Sequence, residues 1–129
     1  MIKPNFRHEI NGKQLAICIA QDYKTGQVLM VAYIDEEAFN KTIETHKAHY
    51  YSTSRNKIWF KGEESGHIQN VKEILIDCDE DAILLKVEQK GGACHTGHYS
   101  CFYKQVTPNA SKIIEIEDTL FNPDNVYNH

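Results

Sequence analysis

Arginine is scarce in this chain of 129 residues: only Arg7 and Arg55 carry a guanidinium. Basic residues are outnumbered, 14 Lys+Arg against 18 Asp+Glu, for a formal net charge of −4. A surface that neutralises a run of nucleic-acid phosphates needs the opposite balance, so a nucleic-acid-coating role is excluded. Bidentate phosphate recognition has few candidates for the same reason. No apolar run approaches the roughly 18 residues that a membrane helix requires. The opening M-I-K-P-N-F-R-H-E-I-N holds no apolar core of a signal peptide. These absences predict a cytoplasmic protein with no membrane partner, and in that compartment disulfides are disfavoured.

Cysteine is also sparse, but it is not scattered. Three of the four, Cys78, Cys94 and Cys101, fall between Asp77 and Cys101. The same stretch carries Asp77, Asp79, Asp81, His95 and His98. Soft and hard ligands packed so densely point to metal chemistry. If Asp77–Asp81 is extended, its three aspartates share one face and Cys78 takes the other. A hard cation such as Mg²⁺ would offset their mutual repulsion. A solvated acidic turn between two strands is the simpler alternative. An EF-hand reading fails, because Ala82 stands where that loop needs Gly and I-L-L-K-V follows as a strand. Cys94 and Cys101 are spaced too widely for a zinc-finger knuckle. Gly92 and Gly97 allow the loop to curl until both sulfurs reach one ion. A disulfide between these two cysteines is the plain alternative. Cys18, flanked by two isoleucines, reads as a small core residue.

Length fits one domain. The pattern predicts a loose lead-in over residues 1–12 and strands at Gln14–Gln21 and Gln27–Ile34, joined by the turn D-Y-K-T-G. Asp35 N-caps one helix, with Glu36 and Glu37 in its first turn. Further strands are predicted at Ala48–Ser54, Ile58–Lys61, His67–Ile76, Ala82–Gln89 and His98–Val106. The tail holds I-I-E-I-E and a polar end that should fray. The expected fold is α+β, a mainly antiparallel sheet with one principal helix.

D-C-D-E-D followed by G-A-C-H-T-G-H-Y-S-C-F-Y resembles the phosphoribosyl-AMP cyclohydrolase family of histidine biosynthesis. V-L-M-V-A-Y-I-D-E-E-A, A-H-Y-Y-S-T-S-R, I-W-F-K-G-E-E-S-G-H and V-E-Q-K-G-G-A-C-H-T-G fall in the family's order. The likeness implies one domain over residues 1–129, with its core at about 27–106 and a tail at 107–129. It implies an intertwined homodimer that uses water to open the adenine ring of N1-phosphoribosyl-AMP. Carried over by position, Cys94 and Cys101 would bind one zinc per subunit together with Cys78 of the other chain. Asp77, Asp79 and Asp81 would bind Mg²⁺. The chain departs from the family at Tyr51, Gly92, Lys104 and Ile34-Asp35, none of which is an implied ligand.

Within that chemistry His95 is the first candidate proton shuttle and His67 the second, since imidazole titrates in the right range. Ser52, Thr53, Ser54 and Arg55 make a hydroxyl-rich turn suited to one substrate phosphate. Lys61 and Ser65 are candidates for another contact, and Trp59 for stacking on the purine. Two rival readings are a small zinc-stabilised binding module, with four protein ligands and no water, and a zinc nucleobase deaminase. The second lacks its H-x-E or C-x-E and its C-x-x-C here.

Overall fold

The computed structural model describes residues 2–125. β1 (His8–Ile10) turns back into β2 (Lys13–Asp22), and β2 turns again into β3 (Val28–Ile34). Along β2 the residues Ala16, Cys18 and Ala20 are fully buried, as alternate positions of a strand facing a core must be. Cys18 is thus a packing residue. After β3 comes the helix α1 (Glu36–Thr45). Asp35 caps it by accepting a 2.8 Å hydrogen bond from the Ala38 amide, and Lys13 pairs with the same carboxylate at 3.1 Å. Ala38, Phe39 and Thr42 are buried on one side of the helix. His46 ends it in the left-handed conformation, its amide bonded to the Thr42 carbonyl.

β4 (His49–Ser52) and β5 (Lys57–Phe60) form a hairpin, followed by β6 (Gln69–Ile76) and β7 (Ala82–Gln89). The main sheet runs β5-β4-β3-β2-β7-β6, with β1 paired to β2. Every pairing in it is antiparallel except β2 with β7, which is parallel. Ala82 lies level with Ile17, and Val87 with Asp22. The two loops joined by β7 therefore leave at opposite ends of the sheet. A strand of 8 residues spans roughly 23 Å at about 3.3 Å per residue.

Several expectations need correction. Asp77–Asp81 is a tight turn between β6 and β7, not an extended segment, and Glu80 takes a positive φ of 61° to close it. Alternating faces therefore do not apply to the three aspartates. The lead-in is not loose. Besides pairing as β1, it bonds the Asn5 amide to the Glu80 carbonyl and the Arg7 guanidinium to Asp81, both at the tip of that turn. The strand expected over His98–Val106 is confined to β8 (Lys104–Val106). Its first half is needed as loop around Cys101. The tail is structured as well: β9 (Ile113–Glu115) pairs with β8, and a 3-10 turn follows at Pro123–Asn125. Of the polar end expected to fray, residues 126–129 lie outside the described residues. No helix among the described residues is long and apolar enough to cross a membrane.

The loop after β7 is fastened to the sheet. Cys101 donates its amide to the Leu29 carbonyl at 2.7 Å, and the Ser100 hydroxyl donates to Val28 at 2.7 Å. The Tyr99 hydroxyl donates a short bond to the carboxylate of Asp22. This bond holds Asp22 below the usual carboxylate range, helped by the amides of Thr25 and Lys24. Its contribution is present above the unfolded-state value and lost as pH falls through the native one. Tyr99→Phe should therefore cost about 1 kcal/mol at pH 7, the part-exposed carboxylate being screened. The gap from wild type should close as pH drops below 3.8, the ordinary value for Asp. Urea denaturation across pH checks this; a gap that stays constant down to pH 2 would refute it.

Candidate functional site

A cleft of about 600 Å³ opens beside the β4–β5 hairpin and the loop after β7. The Ser52–Arg55 turn forms one wall. Ser54 and Arg55 are exposed there, and the Ser52 and Ser54 hydroxyls lie 3.2 Å apart. The Ser52 hydroxyl also accepts the Arg55 amide at 3.2 Å, which shapes the turn. Trp59, Lys61 and Ser65 form the next wall, and His95 and Cys101 close it opposite. Eight residues singled out from sequence thus share one cavity, although they come from three separate stretches of chain. Met30, Val31, Glu63 and Glu64 line it too, and sequence reasoning assigned none of these a role. His67 is not part of this lining. Its Nδ1 accepts the Gly92 amide at 3.4 Å, and its ring meets Phe121 edge-on.

Lys61 is buried, an unusual place for an ammonium. Its Nζ donates 2.8 Å to the Ala93 carbonyl and lies 5.4 Å from the Trp59 ring centre. Burial lowers its pKa, while the nearby Cys101 and Cys94 sulfurs work the other way. A cation tied to the residue before Cys94 both positions the loop and sets positive charge beside two sulfurs.

Cys94 and Cys101 are free thiols, not a disulfide. Burial, followed by the neighbouring Cys94 sulfur, pushes the Cys101 thiol up to about 12. Cys101 is exposed on the lining of the cleft. A thiol whose ionisation is opposed by burial and by a neighbouring sulfur suits a soft divalent cation, which would stabilise both sulfurs as thiolates. The loop reaches this shape through Gly97, at φ 99°. A side chain there would strike the Phe121 carbonyl oxygen at 2.4 Å.

Cys78 is not part of this cluster. It is exposed on the β6–β7 turn, at the other end of β7. Zinc–sulfur bonds of about 2.3 Å require ligand sulfurs within about 4 Å of one another. Among the described residues of one chain, no three His, Cys, Asp or Glu side chains are grouped to hold a metal. The aspartates have separate tasks. Asp77 accepts the Asp81 and Ala82 amides at 3.1 and 3.2 Å. Asp81 takes Arg7 at 2.5 Å and His8 at 3.2 Å, and the guanidinium holds its pKa below the usual range. Asp79 is exposed beside Cys78. The repulsion expected within the row is thus partly offset by the chain's own Arg7. The N-terminal arm gave no sequence signal of this role.

A sequence model of phosphoribosyl-AMP cyclohydrolase matches residues 30–103, which hold both the hairpin and the cysteine loop of the cleft. The chain is 72% identical over 127 residues to phosphoribosyl-AMP cyclohydrolase of Methanosphaera stadtmanae, covering 98% of each chain. It is 57% identical over 123 residues to the protein of that name from Methanothermobacter thermautotrophicus, covering 95% of this chain and 89% of the other. A histidine biosynthesis bifunctional protein, HisIE, from Thermoanaerobacter pseudethanolicus is 56% identical over 109 residues, which are 84% of this chain and 50% of that longer one. A match over more than half of the chain, together with identity of this extent, establishes that the chain belongs to the phosphoribosyl-AMP cyclohydrolase family.

Proposed function

We propose that this chain hydrolyses the N1–C6 bond of the adenine ring in N1-(5-phosphoribosyl)-AMP, giving the formimino-AICAR ribotide (ProFAR) of L-histidine biosynthesis. The observation that carries this reading is the cleft. It combines an aromatic face (Trp59), a hydroxyl and guanidinium turn (Ser52, Ser54, Arg55), an imidazole (His95) and the thiol of Cys101.

N1 of the substrate already bears a ribosyl group, so the ring has positive character and C6 is electrophilic. Water adds at C6, the N1–C6 bond breaks, and one proton must leave the oxygen while another reaches N1. His95 projects exposed at the cleft and follows Cys94 directly, so it is the residue placed to move those protons. His67, which bonds to Gly92 and packs on Phe121, shapes the loop instead. Arg55 and the Ser52–Ser54 hydroxyls hold one phosphate. Ser65 and the edge of Lys61 stand where a second polar group of the substrate would reach, and Trp59 stacks on the base.

The thiol pair fits zinc, which when bound supplies a water whose pKa is lowered to about 7. Two sulfurs leave the set one short, and Cys78 of the same chain cannot complete it. We infer a homodimer in which Cys78 of a second copy does so. Apolar surface supports this: Ile74, Leu75 and Ile76 are exposed next to Cys78, and Val31 and Phe102 are exposed next to Cys101. Mg²⁺ is assigned to the turn of Asp77, Asp79 and Asp81, whose carboxylates are not gathered around one point within a single chain and would have to close on the ion, which would share Asp81 with Arg7. We assign the reaction to the cytoplasm, with a small-molecule substrate and no nucleic acid.

Cys94→Ser and Cys101→Ser should each reduce ring opening more than 100-fold while leaving far-ultraviolet circular dichroism unchanged. An absorbance assay on phosphoribosyl-AMP, with and without chelator, reads this; full activity in either variant, or in the chelated enzyme, contradicts the zinc assignment. Asp79→Asn should raise the Mg²⁺ concentration needed for half-maximal rate about 10-fold. Unchanged Mg²⁺ dependence would remove the aspartate turn from the site.

A further inference from the structure

Thr96 and His98 form a chain of hydrogen bonds that ends on a candidate metal ligand. The Thr96 hydroxyl lies 2.9 Å from the Cys94 sulfur and 2.8 Å from Nδ1 of His98. His98 is buried, unlike its neighbour His95. Its ring lies flat on Tyr103, with centroids 3.4 Å apart and planes 4° from parallel. Its Nε2 is 3.7 Å from a carboxylate oxygen of Glu115 on β9. Tilting the ring would lose the Tyr103 stack, and a half-turn within its plane would take Nδ1 away from Thr96. The backbone adds a clamp: the Cys94 amide donates to the His98 carbonyl at 3.2 Å. On the outer side, Ile116 donates its amide to Tyr103 at 2.8 Å, and Leu120 donates to Gly97 at 2.6 Å. Thus the segment carrying Glu115 and Leu120, which lies beyond the matched residues 30–103, packs over the cysteine loop.

The polarity of this chain follows from counting hydrogens. A Thr hydroxyl has one to give. A thiolate bound to a metal can only accept. The hydroxyl hydrogen therefore points at sulfur, and Nδ1 of His98 must carry the hydrogen that Thr96 oxygen accepts. A ring locked by stacking with a defined N–H makes the Thr96 hydroxyl a fixed donor and not a rotating one. A donor at 2.9 Å selects one direction for the Cys94 sulfur and draws off part of its negative charge. Partners of this kind orient ligands and set how tightly they hold a metal.

We propose that His98 is a positioning residue that acts through Thr96 to aim the Cys94 sulfur at the zinc. The proposal rests on the zinc reading given above. Nothing in it requires His98 to touch the substrate. His95, two residues before the Gly97 bend, is left facing the cleft because Cys94 on one side and His98 on the other are both held inward.

The test uses the full-length protein loaded with Co²⁺, whose thiolate-to-metal charge-transfer band in the near ultraviolet reports the sulfur–metal bonds directly. Three variants are compared: His98→Phe, which keeps the stack on Tyr103 but removes the donor; Thr96→Val, which keeps the shape but removes the hydroxyl; and Thr96→Ser, which restores it. The first two should bind one metal per chain, shift the band, and release metal to a coloured chelator about 10-fold faster. Thr96→Ser should match wild type in both. Wild-type band and release rate in His98→Phe and Thr96→Val would overturn the proposal. So would a Thr96→Ser variant that releases metal as fast as Thr96→Val, because packing alone would then explain the loss. If His98→Phe does not fold, the Thr96 pair decides by the same criterion. A wild-type protein that binds no Co²⁺ and no Zn²⁺ would overturn the zinc reading and the positioning role with it.

Discussion

The length of β7 governs what this molecule can assemble from its own residues. Its 8 residues hold the turn before it and the loop after it roughly 23 Å apart, whichever way the neighbouring strands run. Here the β6–β7 turn with Cys78 and the aspartates leaves near Ile17, while the loop with Cys94 starts beyond Asp22. Cysteines that stand 16 positions apart in sequence order, 78 and 94, are thereby kept at opposite ends. Two well-shaped half-sites result, each bordered by exposed apolar side chains that one chain leaves uncovered. Under the proposed dimer, a cluster of three sulfurs would need two chains.

Around that constraint the cysteine loop is held from three directions. The sheet holds it through Leu29, Val28 and Asp22, which bond Cys101, Ser100 and Tyr99. The hairpin holds it through Lys61, whose buried ammonium grips Ala93. The C-terminal segment covers it, with Phe121 against His67 and Leu120 on Gly97. Apart from the Phe121 ring contact these fastenings are hydrogen bonds, which define one geometry because an alternative strands a donor or acceptor. A loop so fixed can keep two thiols in contact that would otherwise repel on ionising. It also leaves His95 free to face the cleft.

The main elements were legible in the sequence because their causes are local. Asp35 ahead of Glu36 and Glu37 marks a helix start by itself, and the apolar, β-branched run L-A-I-C-I-A marks a buried strand. The gathering of Ser52, Arg55, Trp59, Lys61 and Ser65 in one cleft followed from adjacent hairpin positions, so reading those segments as turn and strand located much of one wall. What the sequence could not display was anything created by distant pairing. Arg7 reaches Asp81 across 74 positions and Tyr99 reaches Asp22 across 77. The alternation rule failed at Asp77–Asp81 because Glu80 adopts a left-handed backbone, which turns a would-be strand into a bend. The tail's strand was missed as a pairing element because a three-residue strand carries no period. H-T-G-H held a usable clue, since a hydroxyl between a cysteine and a histidine is placed to bond both.

Hybrid dimers test the shared site most directly. A Cys78→Ala chain and a Cys101→Ala chain are each expected to be inactive alone. After the two are unfolded together and refolded at equal amounts, half the dimers are mixed and each holds one intact site, so activity should return to about one quarter of wild type for a two-fold symmetric pair. Native mass spectrometry counts the mixed dimers. Mixed dimers present in the expected amount with no activity above the parents would show that Cys78 does not complete its partner's site, and the account would fall.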